Sequence, residues 1–170
     1  DANTTASNNT AVGRNALLSN TTGEENVAMG VNALDANTTG ANNTGIGTSA
    51  LGANTTASNN TAVGQNALVV NTTGARNTAI GSAALDANTT ADNNVAVGYN
   101  SATANTTGTT NVSVGSESFA TNTTGSSNTA LGHAALYSNT TASNNTAVGR
   151  DTLVANTTGG NNTAVGYQAL

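Results

Sequence analysis

Apolar residues along this chain fall into two short clusters that return at a fixed interval. An alternating T-A-V at Thr10–Val12 is followed by A-L at Ala16–Leu17, and the pair recurs as Val27–Met29 and Ala33–Leu34. Polar stretches dominated by Asn and Thr run between them, as from Ser19 to Asn26. The triplet NTT marks the interval. It begins at Asn3, Asn20, Asn37, Asn54, Asn71, Asn88, Asn105, Asn122, Asn139 and Asn156, each 17 residues after the last. In columns the unit reads N-T-T-[GA]-x-x-N-[TV]-[AGS]-[VILM]-G-x-x-[AST]-[LAF]-x-x, and ten copies follow without an insertion. Residues 1–170 therefore read as one continuous array of repeats with no domain boundary. Because the chain starts and stops inside a repeat, the array reads as a segment of a longer fibre.

A 17-residue unit is about half the length that paired-helix solenoids use. Gly, Asn and β-branched Thr or Val in every unit also disfavour helix. The length suits one coil of a parallel β-solenoid, and the expected fold is all-β with one coil per repeat. The strand is expected at Asn9–Gly13. Its alternation sends Thr10 and Val12 to one side and Ala11 to the other. A second short strand or extended corner is expected at the A-L word, with Leu17 turned inward.

Coils about 4.8 Å apart would set each residue on its counterparts. The Val12 column (Met29, Ile46, Val63, Ile80, Val97, Val114, Leu131, Val148 and Val165 in later copies) then forms an apolar ridge, and the Leu17 column another. Gly13 and its equivalents are expected at positive φ, or where backbones pass too closely for a side chain. The Asn3 and Asn9 columns fit ladders of side-chain amides along the stack. Outside Asp1, no two like charges share a column in neighbouring coils, as direct stacking requires.

Composition sharpens this picture. Charged residues make up 6% and aromatic residues 2%, and Pro, Cys and Trp are absent, so large core-forming side chains are scarce for 170 residues. Low charge also sets the chain apart from typical disordered sequences. Two large aliphatics per coil make a thin core. The expectation is an oligomer, a fibre rather than a globule, with the small side of the strand (Ala11, Ala28, Gly45, Ala62) allowing chains to approach. A net charge of −5 gives no basic footprint for nucleic acid, and no apolar run is long enough to cross a bilayer.

The segments NTAVGRNAL, NTAVGQNAL and NTAVGYQAL resemble the repeats of trimeric autotransporter adhesin heads, which read roughly N-S-x-A-I-G-x-x-A. The fuller NTTGGNNTAVGYQAL at Asn156–Leu170 is similar to arrays in phage tail-fibre-like and bacterial surface proteins. The resemblance spans the chain, although the adhesin-head repeat is shorter than the 17 residues found here. It implies a left-handed β-roll, a homotrimer, and an extracellular, cell-surface or virion location. The implied role is a rigid shaft or head segment for attachment or for presenting a tip.

Candidate chemistry is sparse. The lone His133 stands in a variable column and reads as solvent-facing. Gly45–Gly47 imitates the start of a dinucleotide loop, but Gly47 is simply the repeat glycine. No catalytic, cofactor-binding or metal-binding residue is assigned, no cofactor is expected, and the chain is not expected to be an enzyme. The side chains best placed for surface contact with a host glycan or protein are Arg14, Tyr99, His133, Arg150 and Tyr167, all in one variable column. Each NTT is also an Asn-x-Thr triplet, so Asn3 and its nine equivalents are candidate glycan acceptors, excluded if that column points inward. Asn8, Asn42, Asn59, Asn144 and Asn161 add N-N-T triplets. The Thr4 or Thr5 column could form an outward rank of the kind used to bind ice, and an ice-binding or glycan-coated filament is the alternative reading.

Overall fold

The computed structural model describes residues 2–170. Ten strands, β1 to β10, lie at Thr10–Val12, Val27–Met29, Thr44–Ile46, Thr61–Val63, Thr78–Ile80, Val95–Val97, Val112–Val114, Thr129–Leu131, Thr146–Val148 and Thr163–Val165. They form one parallel sheet in sequence order, each strand paired with the equivalent residues one repeat on, as Ala62 with Ala79. The fold is a parallel β-solenoid with 17-residue coils, and no helix occurs among the described residues. The strand is shorter than expected: the flanking Asn9 and Gly13 lie outside it.

Each coil turns its corners through left-handed backbone at fixed places. In the fourth coil these are Asn59 (φ 64), Gly64 (φ 136), Asn66 (φ 59) and Leu68 (φ 52). Gly64 meets both conditions foreseen for its column. A Cβ there would sit 2.5 Å from the carbonyl oxygen of Gly81, at a φ that side chains rarely adopt. The A-L word forms no second strand. Residues 65–70 are turn, because left-handed residues at 66 and 68 cannot continue an extended ladder.

Which face of the strand looks inward is the main departure from expectation. The small column is buried: Ala28, Ala62, Ala79, Ala96, Ala130 and Ala147 are fully enclosed. The aliphatic column points outward, with Met29 46% and Ile80 41% exposed in the body of the rod. The leucine column fills the interior instead, with Leu34, Leu51, Leu68, Leu85 and Leu136 fully buried. Gly45 shows why bulk is refused opposite it. Even a methyl added there would lie 3.3 Å from Leu34 Cγ and 3.1 Å from the carbonyl of Ala50. The lumen accepts one large side chain per coil and a small one facing it.

Those leucines are buried in a conformation that non-glycine residues seldom adopt, at a cost of about 1–2 kcal/mol each. Packing in the lumen offsets the strain. Leu68→Met keeps the unbranched Cβ and most of the volume, so a loss below about 1.5 kcal/mol is expected. Leu68→Ile puts a β-branch at positive φ and should cost roughly 1–3 kcal/mol more. Urea midpoints of the two variants check the order.

Candidate functional surface

Inside the coil, two Asn ladders run the length of the rod. In the first, Asn37 Nδ2 donates to Asn20 Oδ1 at 2.8 Å and to the Gly40 carbonyl at 2.9 Å. In the second, Asn43 Nδ2 donates to the Ala57 carbonyl at 2.8 Å, and its backbone N–H donates to Asn26 Oδ1 at 2.9 Å. The Ala57 carbonyl also accepts from Asn54 Nδ2 at 3.0 Å, so one backbone oxygen ties the two ladders together. Among the described residues no buried side-chain nitrogen or oxygen lacks a partner.

This arrangement decides the fate of the first set of glycan candidates. From Asn20 to Asn139 that column is at most 2% exposed, while Asn156 near the end of the stack is half-buried and Asn3 in the first coil is exposed. The amide nitrogen of Asn3 still donates inward to the Ala6 carbonyl, and that of Asn156 to Asn139 and Gly159. A sugar on any of the eight buried nitrogens would have to occupy the core. The Thr columns also separate. Thr21 and its counterparts donate their hydroxyls to the carbonyl of the next coil, as Thr38 Oγ1 does to Thr55 at 3.0 Å. Thr22 and its counterparts are exposed. The two Thr of each NTT thus leave one outward rank.

The five surface-contact candidates lie along one line on the corner after the strand, and all are exposed. His133, Arg150 and Tyr167 occupy consecutive coils, whereas Arg14 and Tyr99 stand apart from them and from each other. The Arg150 guanidinium sits over the Tyr167 ring at 5.8 Å. Asp151, which sequence reasoning passed over, anchors the group. Its carboxylate lies 3.2 Å from Arg150 Nε and 3.7 Å from His133 Nδ1. Its signal was weak because Asp151 and His133 are 18 residues apart, so only the coil register brings them together.

The outward face of the sheet runs along all ten coils. Its two lines of side chains, Thr or Val in one and aliphatic in the other, carry no charge along the ten coils. The concavity at the first coil, lined by Asn9, Ala11, Ala16 and Leu17, is the open lumen of the stack. Among the described residues no three His, Asp or Glu side chains gather where a metal ion could be held. Comparison with family models, with curated proteins and with solved structures returned no match.

Proposed function

We propose that this chain is a structural rod, a shaft or head segment of an extracellular surface fibre that works without catalysis and associates with further copies of itself. The observation that carries this reading is the uninterrupted aliphatic line on the outside of the sheet. Ten aliphatics at a spacing of about 4.8 Å make a stripe some 45 Å long, and contiguous apolar surface of that extent marks an interaction face. A second copy suits it. The stripe is uncharged and has one translational period, so two rods can mesh side chains at a repeat common to both. Trimeric assembly, as the adhesin-like repeats imply, would set three such stripes about one axis. The partner-facing side is then the aliphatic one and not the small one. The Arg150–Tyr167 cluster, on a separate line, stays free for contact with a surface glycan or protein.

Sedimentation equilibrium tests this reading with Ile80→Glu and Val114→Glu combined. Both side chains are already exposed in the single chain, at 41% and 37%, so the folded coil should keep its β circular dichroism. Wild type is expected at a multiple of 16.4 kDa and the double variant at 16.4 kDa. A wild-type chain that stays single at micromolar concentration would overturn self-association through this face.

A further inference from the structure

The chain carries fifteen Asn-x-Thr triplets in two columns, and the fold treats the columns in opposite ways. Ten have their Asn in the first ladder, where every amide nitrogen donates a hydrogen bond and eight of the ten are sealed in the core. The other five, at Asn8, Asn42, Asn59, Asn144 and Asn161, stand at the left-handed corner before the strand, with φ between 59 and 64. All five are exposed, and among the described residues none of their amide nitrogens donates a hydrogen bond, in contrast to Asn37 or Asn54 in the first ladder. The Thr of each triplet (Thr10, Thr44, Thr61, Thr146 or Thr163) is two residues on, on the outward side of the strand. Nucleophile and recognition hydroxyl are therefore presented together on the outside of the folded coil.

We propose that these five asparagines are N-glycosylation sites of the folded rod, and that the NTT column is not. In the transfer, Asn Nδ2 attacks the anomeric carbon of a glycosyl phosphate donor. The C1–O bond to phosphate breaks, the phosphate leaves with the electron pair, and the amide proton passes to a base of the transferase. The donor is a sugar linked through phosphate to a nucleotide or to a lipid. Sugars on this column border the outward aliphatic face without entering the coil. Transfer precedes assembly, because the recognition Thr lies on that face. Asn42 and Asn59 are one coil apart, as are Asn144 and Asn161, so a bulky glycan fills one of each pair at a spacing of about 4.8 Å.

Two internal controls come with the sequence. Asn93 holds the same corner (φ 61) but is followed by Val95, so it has no recognition hydroxyl. Val also occupies the Thr position at Val27, Val95 and Val112, so Thr44→Val and Thr61→Val remove an acceptor while the coil keeps a residue it already uses.

The test is glycopeptide mass spectrometry on the whole chain, either folded and diluted until it sediments as one chain or urea-unfolded, after reaction in two arms. One arm uses a soluble Asn-x-Thr glycosyltransferase with a nucleotide-linked hexose. The other uses an oligosaccharyltransferase with a lipid-linked oligosaccharide. The expected result on folded protein is three to five sugars, confined to the five corner sites, with Asn93 bare and with Asn42 and Asn59 lost in the Thr→Val variants. Unfolded chain should accept sugar in both columns. Labelling in one arm alone identifies the donor class and still supports the assignment. Sugar on Asn20 to Asn139 of folded rod, or an unlabelled folded rod in both arms, overturns it.

Discussion

Asn60→Asp is expected to destabilise the rod by on the order of 4 kcal/mol at neutral pH, far beyond its one-atom change in composition. Asn60 is fully buried. Its Nδ2 donates to the Gly74 carbonyl at 2.9 Å, and its Oδ1 accepts the backbone N–H of Asn77 at 2.9 Å. A carboxylate preserves the second contact and turns the first into two facing oxygens. It also buries a charge without a cation, since the three arginines are exposed at the surface. Burial raises the folded-state pKa of such an acid above the unfolded value of about 3.9. The neutral acid can donate to Gly74, so the variant lies closest to wild type below about pH 4. It loses stability as pH rises through the folded pKa. Asn59→Asp, one residue away on the outer corner, should stay within about 0.5 kcal/mol of wild type. Urea midpoints of both variants at low and neutral pH check the contrast, and equal midpoints would count against a buried ladder.

The second large effect separates two kinds of glycine. Gly64→Ala is expected to cost about 3 kcal/mol or more, because φ is +136 and the new methyl would meet backbone carbon 2.6 Å away in the next coil. Gly74→Ala should be nearly neutral, although an ideal methyl there also points at the backbone carbonyl of the next coil. The sequence already contains that experiment: Ala57, Ala91 and Ala142 occupy the same column, whose backbone is not left-handed. The glycine column of Gly64 holds no other residue in ten copies. Thermal melts of the two variants distinguish a conformational requirement from simple crowding.

Much of the coil could be read before any coordinates. The spacing of NTT gives the register, the unvarying glycine gives its special backbone, and two fixed Asn columns announce ladders. The inside and outside of the strand could not be read in the same way. Alternation shows that Thr61 and Val63 share a side opposite Ala62, and bulk argues for Val63 inside. What reverses this is Leu68, whose left-handed backbone carries it into the lumen and leaves only a methyl's width across from it. That preference depends on coil radius, which no local pattern encodes. The surface was legible in the same uneven way. The variable column of Arg14 and Tyr167 was visible, but the anchoring role of Asp151 was not, because contacts one coil away look remote along the chain. The two sets of Asn-x-Thr triplets likewise look alike as text, and only their placement distinguishes an engaged amide from a free one.

The orientation of the strand is the point on which the proposed assembly face depends, and the chain contains no cysteine to confuse its measurement. Single variants Ala96→Cys and Val97→Cys, diluted until they sediment as one chain, would be exposed to a thiol reagent under native conditions. The expected result is rapid, complete labelling at position 97 and protection at position 96 until the rod is unfolded. Labelling at 96 with protection at 97 would put the aliphatic column inside the coil and remove the face through which copies are proposed to join.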